Sequence, residues 1–253
     1  MPRIDLNCDM GESFGAWTMG NDEAVLAYVS SANIACGYHA GDPRTMRRTV
    51  SAALARGVAV GAHPGFPDLA GFGRRPMSLS HDEIYEAVLY QVGALAGFAR
   101  AAGGRLRFVK PHGALYNMAA RDRALADAIV AAVVDFDPAL AFYGLAGSLM
   151  LQAAEAAGLT AVSEVFADRG YLDDGSLAPR GEAGALIEDH AQSVAQVLSM
   201  VLDGKVRALS GREVPVRADT LCIHGDKPDA LALARCLRDA LAKAGVSVAA
   251  VGV

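Results

Sequence analysis

The 253-residue sequence has no uninterrupted apolar run long enough to cross a bilayer, and its first residues, MPRIDLNCD, join no charged segment to an apolar one. A membrane span and a secretion signal are therefore not expected, and a cytoplasmic location is. A basic face is missing as well. The 23 Lys and Arg against 28 Asp and Glu leave a formal charge of −5, and no basic run is interleaved with aromatics, which argues against a nucleic-acid partner. Cysteine is sparse: Cys8, Cys36, Cys222 and Cys236 are scattered, without a C-x-x-C pair, so reduced thiols are expected, the first three as small buried hydrophobes. No G-x-G-x-x-G follows the first strand-like segment and no G-x-x-x-x-G-K-[ST] occurs, which disfavours a dinucleotide fold and a P-loop ATPase. A serine hydrolase is not expected either.

Hydrophobic residues nonetheless make up 53% of the chain and charged ones 20%, enough for a large core. The length suits one α/β barrel domain spanning 1–253, and no linker interrupts it. Short β-rich runs alternate with alanine-rich helical stretches. Glycine marks the return from helix to strand: Gly57 before VAVGAHP, Gly103 and Gly104 before LRFVKPHG, Gly158 before TAVSEVFAD, Gly245 before VSVAAVGV. Helix starts are equally clear. Ser80 with Glu83 forms a capping box before the stripe Ile84, Val88, Val92, Leu95; Asp42 with Pro43 opens a helix ending near Arg56; Asp122 caps one carrying Leu125, Ile129 and Val133. This order predicts parallel strands with right-handed crossovers, read as a TIM-like β/α barrel of seven or eight strands. KVRALSGREVPVRAD departs from the pattern and predicts a hairpin around Ser210 and Gly211 before the last buried strand.

In IDLNCD the residues alternate, Ile4, Leu6 and Cys8 on one face and Asp5, Asn7 and Asp9 on the other. In a barrel strand the apolar set faces the helices, so the polar set is expected in the lumen toward the active-site end. The same offset of two links Lys110 to His112 and joins Cys222, His224 and Asp226. His63 ends VAVGAH and His39 follows ANIACG. Four of the six histidines thus fall at predicted strand ends, where barrel enzymes carry their catalytic groups, while His81 and His190 fall at helix starts. EVFADRGY adds Glu164, Asp168 and Arg169, carboxylates beside a cation, as general acid and base work requires. Arg74 and Arg75 stand in a glycine-rich loop where their donors can hold a carboxylate or phosphate. The His and Asp set also suits zinc or another divalent ion, but H-E-x-x-H is absent and no local spacing dictates coordination, so no residue is assigned to a metal.

DLNCDMGESFGAWTMGND, SANIACGYHAGDP, GAHPGFPDLAGFGRR, VKPHGALYN, EVFADRGY and CIHGDKP together resemble the motifs of the lactam utilisation (LamB/YcsF-like) family, the A subunits of bacterial 5-oxoprolinase, nearly end to end. The resemblance implies an irregular seven-stranded β/α barrel of the glycoside hydrolase and deacetylase type. It also implies ATP-dependent cleavage of 5-oxo-L-proline to L-glutamate with partner subunits B and C. ATP would be consumed at a site shared with or supplied by those partners. The candidate catalytic residues are Asp9, His63, Lys110, His112, Glu164 and His224; the candidate substrate-binding residues are Asp5, Asn7, Glu12, His39, Arg74, Asp168, Arg169 and Asp226. Two other readings stand beside this one: a metal-dependent amidohydrolase or deacetylase acting alone, and a non-catalytic module that binds lactams or sugars.

Overall fold

The computed structural model describes residues 2–252 apart from 226–228. Its strands are β1 (Arg3–Met10), β2 (Ser31–Ala35), β3 (Ala59–His63), β4 (Phe108–Val109), β5 (Ala141–Leu145), β6 (Thr160–Phe166), β7 (Lys205–Arg207), β8 (Glu213–Pro215), β9 (Thr220–Ile223) and β10 (Ser247–Val248). β1 to β6 pair in sequence order, β6 pairs with β9 and β9 returns to β1, all parallel, closing a seven-stranded barrel. The segment after Gly245 contributes only β10, paired with Arg3 and Ile4 below the closure. The expected hairpin forms from β7 and β8, with Arg207 opposite Glu213. No described helix is long and apolar enough to cross a membrane.

Local chemistry explains the outer layer. Ser80 Oγ accepts from the Glu83 amide at 3.3 Å while Glu83 Oε2 accepts from the Ser80 amide at 2.7 Å, which starts the helix His81–Ala101. Its stripe Ile84, Val88, Val92 and Leu95 is wholly buried, and each such side chain contributes about 1.5–3 kcal/mol of transfer free energy. Asp42 and Asp122 cap the helices Pro43–Ala55 and Arg123–Phe136 as expected. Of the glycine pair before β4, Gly103 takes the left-handed turn at φ +78°, and Gly104 does not.

The large core lies between barrel and helices and includes Ile4, Leu6 and Cys8 of β1. A second, small cluster of Ala59, Phe108, Ala141, Tyr143, Val162 and Ala250 plugs the end where the strands begin, with Phe108 and Tyr143 stacked at 4.1 Å. Gly61 makes that stack fit, because a Cβ there would run into the Phe108 ring. Gly61→Ala is therefore expected to cost about 1–3 kcal/mol by overpacking, a fall of roughly 2–10 °C in melting temperature for a chain of this size. Thermal unfolding followed by circular dichroism measures it, and an unchanged midpoint would show that the plug is loosely packed.

Candidate active site

The polar face of β1 points into the lumen. Asn7 Nδ2 reaches Glu164 Oε1 on β6 (3.0 Å) and Thr220 Oγ1 on β9 (2.7 Å), and its own Oδ1 accepts from Asn33 on β2 (2.6 Å). Asp9, one layer higher, accepts from Asn33 at 2.8 Å. Lys110, just beyond β4, drives its ammonium into this layer, 2.9 Å from Asp9 Oδ1, 2.8 Å from Glu164 Oε1, 3.2 Å from Asn7 Oδ1 and 3.1 Å from Cys222 Sγ. Lys110 is 2% exposed, so its charge persists only because the carboxylates answer it. Burial lowers the Lys110 pKa, and Asp9, Cys222 and Glu164 outweigh that and hold it well above its ordinary value. Burial likewise pushes the Asp9 carboxyl up, while His63 and Lys110 overcome it and leave the group well below the usual carboxylate range. Tyr116, its phenol raised by burial and by Glu164, stays neutral and donates to Glu164 Oε2 at 2.7 Å.

Two histidine groups flank this hub. In the first, His63 Nδ1 donates to the Lys110 carbonyl and His112 Nε2 to the Phe72 carbonyl, both at 2.8 Å, since a carbonyl only accepts. The remaining nitrogens, His63 Nε2 and His112 Nδ1, face each other at 3.0 Å. His39 stacks on His112 at 3.8 Å, and Glu12 Oε1 lies 4.0 Å from both His39 Nε2 and His112 Nδ1. These four residues are buried and bring one donor atom each within 4.8 Å of the others, a set able to hold a metal ion. Burial, together with the neighbouring imidazoles, lowers His39 and His112 well below the ordinary histidine value, which keeps them neutral. In the second group His224 Nδ1 donates to Asp168 at 3.0 Å, so its Nε2 holds the lone pair and meets Arg180 at 3.2 Å.

A pocket of about 250 Å³ opens above the hub at the ends of the strands, below the roughly 300–1,000 Å³ of drug-sized sites. Asp9, His63, Arg74, Lys110, His112, Arg169 and His224 line it. Glu164 and Asn7 lie beneath Lys110, Asp168 behind His224, and Glu12 and His39 behind His112. Asp5 is not brought to the pocket. It sits near the plugged end, its carboxylate taking hydroxyl hydrogens from Ser30, Ser31, Tyr143 and Thr220 at 2.6–2.9 Å, and burial raises its pKa despite them. Arg169 lines the pocket and gives an Nε and an Nη2 hydrogen to the Ala185 and Ala178 carbonyls, and Arg75 turns away to pair with Asp68. Asp226 lies outside the described residues.

Sequence reasoning missed Asn33, Tyr116, Thr220 and Arg180. Asn33 carried a signal, since SANIA alternates as IDLNCD does; Tyr116 sits one helical turn past His112; Arg180 comes from an irregular loop with no pattern to read. The four cysteines are free, and burial pushes Cys36 up to about 12 and Cys8 and Cys222 well above the ordinary thiol value. Cys222 is more than the expected hydrophobe, because it also takes a hydrogen bond from Lys110. Residues 11–15, GESFG, do spell G-x-S-x-G, yet no helix follows the turn directly and Ser13 Oγ is engaged by the Met19 backbone at 3.0 and 3.3 Å. Ser13 is therefore not carried on a nucleophile elbow.

A parallel barrel whose strand ends converge on carboxylates, imidazoles and one buried ammonium has the architecture of a barrel enzyme. The chain belongs to the LamB/YcsF family, whose sequence pattern matches residues 4–252. It is 63% identical over 249 residues to a Bordetella pertussis protein named as the A subunit of 5-oxoprolinase, covering 98% of this chain and 99% of that one. Among solved structures, the lactam utilization protein from Thermus thermophilus matches with a TM-score of 0.94 at 54% identity, over 98% of this chain and 99% of that one. A family 4 carbohydrate esterase from Streptomyces lividans, at 14% identity and a TM-score of 0.52 over 99% of this chain and 93% of that one, shares the fold alone.

Removing the Lys110 charge leaves Asp9 and Glu164 buried without their cation. Lys110→Met is expected to lower stability by about 3–5 kcal/mol in equilibrium urea unfolding, with Asp9→Asn in the same chain restoring part of the loss. A loss below about 1 kcal/mol would mean that water already screens the pair.

Proposed function

We propose that this chain is the A subunit of an ATP-dependent 5-oxoprolinase, opening 5-oxo-L-proline to L-glutamate together with B and C subunits. The observation that carries this is the Bordetella relative of that name, 63% identical along 98% of the chain. The pocket's chemistry supports it. An unstrained five-membered lactam resists water because amide resonance holds its carbonyl. Phosphorylation of the carbonyl oxygen by ATP makes that oxygen a leaving group. Water then adds to the carbon, the ring C–N bond breaks as nitrogen takes a proton, and a second water releases phosphate.

Asp168 and His224 fit the proton-carrying part, since the carboxylate fixes the tautomer that leaves Nε2 basic at the pocket wall. Asp9 Oδ1 accepts from Asn33 and Lys110, which orients the carboxylate to hold water with its other oxygen. Arg74 and Arg180, exposed at the mouth, suit the substrate carboxylate or the transferred phosphate. Lys110 already has four partners and acts by positioning Asp9. The sequence carries no P-loop, so the partners supply most of the nucleotide site in this reading. The buried His and Glu set favours a second reading, a metal-dependent amidohydrolase working alone.

Reconstitution with the B and C partners, following glutamate and ADP release from oxoproline, separates the two. Turnover is expected only with all three subunits and ATP, and hydrolysis by this chain alone without ATP would sink the first reading. In the complex, His224→Gln is expected to lower kcat about 10²–10⁴-fold with KM little changed; wild-type kcat would remove His224 from the reaction.

A further inference from the structure

We propose that His39, His63, His112 and Glu12 bind a divalent transition-metal ion of the zinc type. The hydrogen-bond inventory is the first ground. With His63 Nδ1 and His112 Nε2 both committed to carbonyls, two ring lone pairs point at each other across 3.0 Å, an arrangement that repels unless a metal ion or an added proton lies between or beside them. Two imidazole nitrogens about 2.0–2.1 Å from one tetrahedral zinc ion sit roughly 3.3 Å apart, close to the spacing found. Carbonyls that fix the tautomer of each ring are also the outer partners metal-bound histidines carry.

His39 supplies an independent ground. It is 0% exposed, and neither ring nitrogen has a hydrogen-bond partner, a state that costs about 1–3 kcal/mol for each such group unless something answers it. The backbone is shaped around this ring. A Cβ at Gly65 would stand 2.7 Å from His39 Nδ1, and one at Gly73 would stand 2.7 Å from His39 Cβ and 2.9 Å from His112 Cδ2. Phe72, whose carbonyl orients His112, is held at φ +54°, the only positive φ outside glycine among the described residues. Backbone held in the left-handed region at a bulky residue is strain, of the kind that collects at ligand sites.

Charge points the same way. Glu12 and Asp9 flank the rings, Asp9 Oδ1 being 3.4 Å from His63 Nε2, while the one ammonium is shared between Asp9 and Glu164. The two carboxylates suit a dication, although the Arg74 guanidinium also acts on His39 and His112. Three imidazoles and a carboxylate are a donor set suited to zinc.

The full chain, stripped with a chelator and titrated with Zn²⁺ by calorimetry and with Co²⁺ by visible absorption, tests this without oxoproline or partner subunits. One ion per chain is expected, with cobalt bands of four-coordinate intensity. His39→Leu and Glu12→Gln are each expected to weaken Zn²⁺ binding about 10–100-fold or more. Without metal, His39→Leu is expected to unfold no earlier than the native chain, since it removes two buried polar atoms that lack partners. Zn²⁺ is then expected to raise the melting temperature of the native chain and not of this variant. Failure to bind either ion stoichiometrically overturns the proposal and assigns the gap between His63 and His112 to a shared proton. Unaltered affinity in both variants also overturns it and places the ion elsewhere, as at the exposed His190–Asp229 pair.

Discussion

A single ammonium, buried where water cannot reach it, organises the upper half of this barrel. Lys110 is held by Asp9 and Asn7 of β1, Glu164 of β6 and Cys222 of β9, so it ties together strands that are distant in sequence. Removing such a charge from water costs several kcal/mol, and only short contacts to carboxylates return that energy. The arrangement is therefore intolerant of displacement. Slipping a strand by one residue would turn its polar set into the apolar layer and leave the charge unanswered. The lumen thus fixes register through polar contacts, while the stability of the fold comes from the apolar layer between strands and helices.

The same hub sorts the histidines into two environments. His39, His63 and His112 lie on the dry side, packed against one another and against the loop through Phe72 and Gly73. There burial favours the neutral form of His39 and His112. His224 lies on the open side, oriented by Asp168 and edged by Arg180, where exchange of a proton with a small substrate is practicable. Asp9 and Lys110 stand between the two histidine environments within one site.

Much of the architecture could be read from local pattern. The alternation in IDLNCD placed Asp5, Asn7 and Asp9 on one face, the Ser80–Glu83 box began its helix, and the strand-end positions of His63 and His224 put both at the pocket wall. Where local pattern gave only a face, it erred on depth. Asp5 shares its face with Asp9 but lies near the opposite end, bound by four hydroxyls. The segment after Gly245 has the composition of a barrel strand, yet it pairs with only two residues of β1 and stays outside the closure.

The sequence by itself determined which side chains of a strand share a face, where helices begin, and that strands and helices alternate as parallel β/α units, because these follow from the two-residue period of a strand and from caps a few residues long. Tertiary structure alone decided that His39 reaches His112, that Glu164 shares its proton-bearing neighbour Lys110 with Asp9, and that Arg180 arrives from a loop to meet His224. The height of a residue along the barrel axis depends on the stagger between neighbouring strands and on the paths of the connecting loops. Those are set by packing between segments far apart in the chain, which no local period records.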